Sequence, residues 1–262
     1  MNILEAIIAE KRIEVELRKK QVPLENLRLS ALYDRPGFSL IEFLQSDSHT
    51  GIIAEFKRKS PSKGIINDKA NVVDVTRAYA DHGASALSVL TDHSFFGGSI
   101  EDLIAARVNN LPILRKDFII DEYQLEEARA MGSDAILLIA ACLNPDEVRK
   151  LAKAAQELGL EVLLELHDEA ELGHVCEFTP IVGINNRNLK TFSVDIERSL
   201  AMASRLPEGT IKVAESGIDN VSNIKIFREH GFHGFLIGEH FMKAPDPGKA
   251  FADFVADLNN MK

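Results

Sequence analysis

The sequence contains little cysteine and no long hydrophobic run. Its two cysteines, Cys142 and Cys176, lie in different predicted elements, which favours free thiols in a reducing compartment over a disulfide framework. The longest apolar run, residues 135–143, is too short to cross a bilayer. The N-terminal segment carries glutamates at positions 5, 10, 14 and 16, which argues against a secretory signal and against a transit peptide. We therefore expect a cytoplasmic protein.

Basic residues are outnumbered by acidic ones, 30 to 40. The formal net charge is −10, which argues against sequence-independent nucleic-acid binding and against attraction to an acidic membrane surface. A phosphorylated small molecule remains compatible as a partner, because a local cluster of cations can act within an acidic protein. The length of 262 residues, with 45% apolar and 27% charged residues, fits one large globular domain or two small ones. The oligomeric state is left open, with a monomer favoured.

Several common site signatures are absent. No Gly-x-Gly-x-x-Gly follows the first predicted strand, which argues against a dinucleotide-binding sheet. No Gly-x-Ser-x-Gly occurs, which removes the commonest signal of a serine hydrolase. The eight histidines are scattered, and the ligand-like pair His230 and His233 straddles a glycine near a predicted helix end. The sequence therefore predicts no metal site.

A regular alternation of short apolar strands and amphipathic helices begins at Gly51. The strand candidates are residues 51–56, 84–90, 112–114, 135–139, 161–165, 181–184, 212–214 and 234–237. The helix candidates are residues 72–82, 100–108, 123–131, 146–158, 169–178, 195–205, 221–230 and 248–259. Eight strands, each followed by a helix, predict a closed parallel (β/α)8 TIM barrel of the α/β class. An open doubly wound sheet is the alternative, and the count of eight disfavours it.

The first fifty residues lie outside this alternation. Residues 3–20 carry apolar side chains at a helical period among many charges, which predicts an amphipathic helix. Residues 23–36 are polar and rich in turn formers, and residues 38–45 are predicted to form a short helix or a turn. We therefore expect a single barrel domain over residues 1–262, with an N-terminal helical extension over residues 1–50.

Polar side chains follow the predicted strands at their carboxyl ends, where a barrel of this type places its active site. Glu55 and Lys57 are two residues apart and so point the same way from the first strand. Glu165 closes the apolar run of the fifth strand, and burial there would raise its pKa and permit base chemistry. Each residue also has a non-functional interpretation. Glu55 and Lys57 could form a purely structural ion pair, and Lys116, which follows the third strand, could be a solvated surface residue. The opposite strand ends carry far less of this chemistry, which favours an enzyme.

The seventh and eighth strands end in glycine turns. Ser216 and Gly217 follow the seventh strand, and Gly238 and Glu239 follow the eighth. Backbone amides of such turns, together with helix N-termini, can bind an anion, and the loops after these two strands are the usual phosphate site of a barrel. Glycines that merely permit tight turns are the alternative. The position of the pair favours a phosphorylated substrate.

Five motifs at the strand ends resemble those of the indole-3-glycerol-phosphate synthase family. They are IAEFKRKSPS at residues 53–62, LRKDF at 114–118, LELH at 164–167, GINNRNL at 183–189 and AESGI at 214–218. The first match is highly specific. The likeness spans essentially the whole chain, including the N-terminal helical extension, which in that family packs over the barrel mouth. The resemblance implies a carboxy-lyase of tryptophan biosynthesis.

The resemblance implies a reaction that needs no cofactor. In it, 1-(2-carboxyphenylamino)-1-deoxyribulose 5-phosphate closes to an indole ring and loses carbon dioxide and water. An acid protonates the ketone oxygen as the aryl carbon attacks, and a base takes a proton during the final dehydration. By this resemblance Lys116 would be the acid and Glu165 the partner in proton transfer. Glu55 and Asn185 would position the sugar hydroxyls and the reacting centre, with Glu55 a rival for an acid–base role.

The resemblance also implies binding roles. Lys57 and Arg187 would hold the phosphate and the carboxylate, in an order that the sequence leaves open. The other substrate-binding positions would be Ser62, Phe96, Phe118, Leu138, Ser216, Gly217, Gly238 and Glu239. Phe96, Phe118 and Leu138 would wall an apolar slot for the aryl ring, with plain core packing as the alternative for Leu138.

Two positions depart from the family pattern. Asn188 stands where an aspartate is frequent, and Glu239 stands where a small hydroxyl residue is common. The carboxylate of Glu239 would have to turn away from a bound phosphate, since like charges repel at close range.

Two other functions remain open on the same fold. A Schiff-base lysine aldolase acting on a sugar phosphate would use Lys57, Lys116 or Lys212, since a buried lysine with a lowered pKa can attack a carbonyl. A non-catalytic barrel that holds a sugar phosphate would need only the anion site.

Overall fold

The structure is a computed structural model that describes residues 3–187 and 194–261, and within these ranges eight parallel strands close into a barrel. The strands are β1 (Ile52–Phe56), β2 (Ala86–Leu90), β3 (Ile113–Lys116), β4 (Ala135–Ile139), β5 (Glu161–Leu166), β6 (Ile181–Asn185), β7 (Ile211–Glu215) and β8 (Phe232–Ile237). Neighbouring strands pair in parallel, and β1 closes the barrel against β8 with Ile52 opposite Phe235. The predicted TIM barrel is confirmed, and the open sheet is excluded.

Helices pack around the barrel and precede it. They are α1 (Ile3–Gln21), α2 (Leu24–Arg28), α3 (Leu40–Gln45), α4 (Val72–Asp81), α5 (Ile100–Ala106), α6 (Tyr123–Ala130), α7 (Pro145–Glu157), α8 (Ile196–Ala203), α9 (Val221–Glu229), α10 (Glu239–Met242) and α11 (Pro247–Asn260). Two 3₁₀ segments, Ala140–Cys142 and Glu169–His174, follow β4 and β5. None of the helices in the described ranges is both long and apolar enough to span a membrane.

The connection after β5 differs from the predicted helix over residues 169–178. Only Glu169–His174 is helical, and it is a 3₁₀ helix. The Glu171 side chain turns back to accept the amide of Asp168, while the Asp168 side chain caps the segment. A glycine at position 173 then weakens continuation of the helix.

Successive side chains of each strand face two different apolar clusters. Ile53 and Leu137 lie in the cluster inside the barrel, whereas Ile52 and Leu138 lie in the outer cluster between strands and helices. This alternation follows from the period of two along a strand. It decides which strand residues can reach a site at the barrel mouth.

The N-terminal extension contacts both ends of the barrel. At the amino end, the hydroxyl of Ser39 and the amide of Ile41 donate to the two oxygens of Glu161 at 2.6 and 3.0 Å. At the carboxyl end, the ammonium of Lys11 lies between Asp92 and Asp117, which follow β2 and β3. The extension is therefore tied to the barrel by buried polar contacts as well as by apolar packing.

Candidate active site

Four ionisable side chains form one inward-facing layer, the charged layer, at the carboxyl ends of alternate strands. They are Glu55 of β1, Lys116 of β3, Glu165 of β5 and Glu215 of β7. TIM barrels fill their interiors with layers of four side chains from alternate strands, usually aliphatic ones. In this layer the three glutamates are at most 4% exposed. Three buried carboxyl groups around one lysine are costly for stability, and such a cluster is typical of a catalytic site.

Glu165 is the most highly connected member of this layer. Its carboxylate accepts from Asn185 Nδ2 at 2.8 Å and lies 2.9 Å from His167 Nε2 and 3.4 Å from Lys116 Nζ. Burial alone would raise the pKa of Glu165, but Lys116, His167 and the two hydrogen bonds outweigh it and lower the pKa. The expectation that its pKa is raised was therefore wrong. Glu165 is held as an ionised carboxylate, ready to accept a proton.

Lys116 is held in its charged form. Burial would lower the pKa of its ammonium, but the carboxylates of Glu165, Glu215 and Glu55 together raise the pKa above the ordinary value. The side chain is 18% exposed, so the alternative of a solvated surface lysine does not hold. A charged ammonium can donate a proton, whereas a Schiff-base nucleophile needs a lowered pKa.

Glu215 is a site residue that the sequence reasoning did not assign a role. A Cβ on Gly183 of the neighbouring strand would lie 2.0 Å from its Oε1, so only glycine leaves room for this carboxyl. Oε1 has no hydrogen-bond partner among the described residues. Burial, followed by the charge of Glu165, raises the pKa of Glu215 well above that of an exposed carboxyl, against the opposing charge of Lys116. Its signal in the sequence was its place at the end of the seventh strand, equivalent to Glu165 in the fifth.

Glu55 and Lys57 form a direct ion pair, with 2.6 Å between Oε1 and Nζ. A Cβ on Gly238 would lie 2.5 Å from the same carboxylate oxygen, so this glycine permits Glu55 to occupy the barrel mouth. Lys57 also lines the cavity described next. The pair thus connects the charged layer to that cavity.

A cavity of about 230 Å³ opens at the ends of β1, β7 and β8. Its cationic lining residues are Lys57, Arg187 and Lys243. Lys243, which follows α10, was missed because nothing in its sequence context distinguishes it from a surface lysine. The predicted positions Ser216, Gly217, Gly238 and Glu239 also line the cavity.

The turn after β7 has the backbone geometry of an anion cradle. Ser216 and Gly217 both lie in the left-handed region, with φ of 65° and 70°. Consecutive residues of unusual conformation can turn their amides into one concavity. A non-glycine residue held at positive φ stores strain and occurs preferentially at functional sites. The side chain of Asn186 supports the turn by donating to the Ser216 carbonyl at 2.8 Å.

Glu239 lies near Arg187, a cation of the cavity, and near Lys63, which is outside the cavity lining. Its Oε2 is 3.3 Å from Arg187 Nη2, and its Oε1 is 3.8 Å from Lys63 Nζ. The carboxylate thus neutralises part of the positive charge that an incoming phosphate would otherwise contact. Asn188 lies outside the described residues.

The aromatic slot residues Phe96 and Phe118 follow β2 and β3 and pack against each other. The rings of Phe96 and Phe118 have centroids 6.0 Å apart and are inclined by 42°. Phe118 belongs to the inner cluster, and the partly buried Phe96 packs against it. The prediction that Leu138 lines this slot needs correction, because Leu138 faces the helices in the outer cluster. Leu137 and Ile139 are the inward residues of β4.

The predicted role of Ser62 also needs correction. Ser62 is exposed, in the turn of a small antiparallel hairpin whose strands are Lys59–Ser60 and Gly64–Ile65. Ser60, by contrast, is 7% exposed, and its hydroxyl has no hydrogen-bond partner among the described residues. Of the two serines, Ser60 is therefore the better candidate for contact with a ligand.

Comparisons with known proteins agree with this geometry. Residues 4–254 match the model of the family described as indole-3-glycerol phosphate synthase. An indole-3-glycerol phosphate synthase from Bacteroides thetaiotaomicron is 48% identical over 255 residues, covering 97% of this chain and 98% of the relative. One from Polaromonas is 44% identical, covering 96% and 97%.

Among solved structures, a tryptophan synthase α-subunit from Pyrococcus furiosus has a TM-score of 0.62 at 15% identity, covering 81% of this chain and 99% of that one. A structure titled native KDPGal has a TM-score of 0.59 at 16% identity, covering 82% and 96%. At these identities the likeness establishes the barrel fold alone.

Proposed function

The chain belongs to the indole-3-glycerol phosphate synthase family, and we propose that Lys116 and Glu165 carry the proton transfers of that family's reaction. The family comprises carboxy-lyases of tryptophan biosynthesis. They close 1-(2-carboxyphenylamino)-1-deoxyribulose 5-phosphate to indole-3-glycerol phosphate, with loss of carbon dioxide and water. The observation that carries the residue assignment is the charged layer of Glu55, Lys116, Glu165 and Glu215 beside a cationic cavity.

Lys116 acts in the ring closure. The aryl carbon that bears the carboxylate attacks the ketone carbon, and the ammonium of Lys116 gives a proton to the ketone oxygen. Carbon dioxide then leaves from the same aryl carbon, and its bonding electrons restore the aromatic ring. The raised pKa of Lys116 supports this role, because it keeps the donor charged before each turnover.

Glu165 acts in the dehydration. The hydroxyl formed from the ketone oxygen leaves as water after protonation, and Glu165 removes a proton from the neighbouring carbon. Its lowered pKa and its hydrogen bond from Asn185 support a carboxylate that is ionised and correctly oriented. Glu215, whose pKa is raised, is the candidate for the acid that protonates the leaving hydroxyl. Two carboxyls with pKa values shifted in opposite directions are typical of an acid–base pair.

The phosphate and the aryl ring of the substrate bind on opposite sides of this layer. The phosphate lies in the cradle of Ser216, Gly217 and Gly238, where Arg187 and Lys243 neutralise it. Lys57 lies nearer the charged layer, paired with Glu55, and binds the aryl carboxylate. The aryl ring packs against the aromatic pair of Phe96 and Phe118.

We also propose that residues 1–50 belong to the same single domain as the barrel and that α1 covers part of its mouth. The ion pairs of Lys11 with Asp92 and Asp117 support this arrangement. The proposed catalytic layer comes from one chain, which supports activity as a monomer. The free cysteines Cys142 and Cys176 are consistent with the reducing cytoplasm.

The decisive test is the Glu165→Gln variant. Turnover should fall by about 10²-fold or more, as on loss of a positioned base, because the amide cannot accept the proton. The product can be followed by indole fluorescence, since the chain contains no tryptophan to mask it. Binding of the borohydride-reduced substrate, whose ketone has become an alcohol, should change little.

Glu157→Gln is the matched control, because Glu157 is 68% exposed on α7. Its turnover should equal that of the wild type. If Glu165→Gln were as active as this control, the base would have to be a different residue, while membership of the family would stand.

A further inference from the structure

Lys11 of α1 is the feature that the proposed chemistry leaves unexplained. Its side chain is 1% exposed, although a lysine is almost never fully buried unless it is paired. Its Nζ lies 2.8 Å from Glu14, 2.9 Å from Asp117 Oδ1 and 3.2 Å from Asp92 Oδ2. Burial would lower the pKa of Lys11, but the charges of Asp117, Asp92 and Glu14 raise it, so the side chain is a permanent cation.

The two aspartates hold the backbone of the aromatic slot. Asp92 Oδ1 accepts the amides of Phe95 and Phe96 at 2.8 and 3.1 Å. Asp117 Oδ1 accepts the amide of Phe118 at 2.8 Å. Each carboxylate therefore contacts Lys11 and also fixes the start of a loop that carries a slot residue.

The loops differ in how much they depend on Lys11. Asp117 has further support, because its Oδ2 accepts from Thr91 at 2.6 Å and lies 3.2 Å from Arg115. For Asp92 the ion pair recorded in the structure is the one with Lys11. Loss of Lys11 would thus release the loop that carries Phe96 more than the loop that carries Phe118.

We propose that Lys11 is a positioning residue that sets the spacing of Phe96 and Phe118 and so determines the affinity of the site for a flat aromatic ring. The proposal rests on the proposed function, because the ring is that of the anthranilate part of the substrate. It makes the N-terminal extension part of the recognition machinery. The ammonium acts through two carboxylates and touches no reacting atom.

The test compares two inert probes that differ in the ring. The borohydride-reduced substrate carries the aryl group and the phosphate, whereas ribitol 5-phosphate carries the phosphate and no ring. Lys11→Met should weaken binding of the reduced substrate by about 3- to 10-fold, the scale of one aromatic contact. Binding of ribitol 5-phosphate should stay the same, because Lys11 has no contact with the phosphate cavity.

Arg18→Met is the matched control on the same helix. Arg18 Nε pairs with Glu127 at 2.8 Å and anchors α1 without contacting Asp92 or Asp117. Arg18→Met should bind both probes like the wild type. Equal losses of ring affinity in Lys11→Met and Arg18→Met would overturn the proposal, because general anchoring of α1 would then explain both.

A second variant keeps the proposal testable if Lys11→Met does not fold. Asp92→Asn retains Oδ1 for the two phenylalanine amides but removes the charge that Lys11 holds. It should reproduce the selective loss of ring affinity by itself. Where Lys11→Met does fold, the two losses should not add in the double variant. Unchanged ring affinity in Asp92→Asn, or additive losses, would refute the route through Asp92.

Binding of the two probes by the wild type distinguishes failure of the Lys11 proposal from failure of the proposed function. If the wild type bound the reduced substrate no better than ribitol 5-phosphate, the aromatic slot itself would be wrong. If the wild type preferred the ringed probe and Lys11→Met preferred it equally, only the role of Lys11 would fail.

Discussion

Replacement of Glu215 by glutamine should stabilise the folded protein at neutral pH. The carboxyl is 1% exposed, and its Oε1 has no hydrogen-bond partner among the described residues. Burial, the charge of Glu165 and the charge of Glu55 raise its pKa well above 4.5, against the opposing charge of Lys116. A glutamine side chain has nearly the same shape and cannot ionise.

The magnitude follows from the protons bound in each state. Between the unfolded pKa of 4.5 and the raised folded pKa, the folded chain keeps a proton that the unfolded chain has released. The contribution of Glu215 to stability is fully present below the unfolded pKa and is lost as the pH rises towards the folded pKa, by about 1.4 kcal/mol per pH unit. Glutamine suffers no such loss. One pH unit above the unfolded pKa, the variant should be more stable by about 1.4 kcal/mol and melt about 3–6 °C higher.

The assay is denaturant unfolding of wild type and Glu215→Gln at about pH 4 and about pH 6, on either side of the unfolded pKa. The two proteins should have equal stability at the lower pH and should diverge at the higher one. Glu229→Gln is the control, because Glu229 is exposed at the end of α9. A stability difference that does not change with pH would refute the reasoning, as would a variant less stable than the wild type at the higher pH.

Three further substitutions test the site. Lys116→Met should lower turnover by about 10²-fold or more, because the positioned proton donor is lost, and a normal single-turnover rate would reject Lys116 as the acid. Arg187→Met should raise KM by about 5-fold or more, because a charge-assisted contact to phosphate is lost. Arg149→Met, at an exposed position of α7, is the control and should leave KM unchanged. Similar KM values in the two variants would remove Arg187 from the anion site. Glu239→Gln should lower KM by about 2- to 5-fold, because its pair with Arg187 is half-buried and worth at most about 1 kcal/mol. A higher KM in Glu239→Gln would mean that the carboxylate helps to hold the substrate.

The barrel could be predicted from the sequence because each apolar strand is followed by a helix, and that order defines the topology. The ends of the elements were less predictable. The third strand was expected to stop at Leu114 and continues to Lys116, because Arg115 points outward and is buried against Glu127 at 3.1 Å. A charged residue after an apolar run predicts the start of a loop. The sequence alone does not show that Arg115 pairs with Glu127.

The site was predictable where a polar residue interrupts an apolar run, as at Glu165. It was not predictable where the run is apolar on both faces. Residues 136–139 read Ile-Leu-Leu-Ile, so polarity does not distinguish the inward Leu137 from the outward Leu138. The buried state of Lys11 was hidden for a different reason, because the aspartates that pair with it follow two strands far along the chain.

Closure of the barrel also has a consequence during synthesis on the ribosome. Ile52 of β1 pairs with Phe235 of β8, a residue made about 180 positions later. At typical elongation rates of about 5–20 residues per second, β1 waits about 10–40 s for that partner. During this interval its unpaired amides and carbonyls form an open edge of the kind that promotes association between chains. We therefore expect the nascent chain to be prone to association through β1 until the final strand has left the exit tunnel.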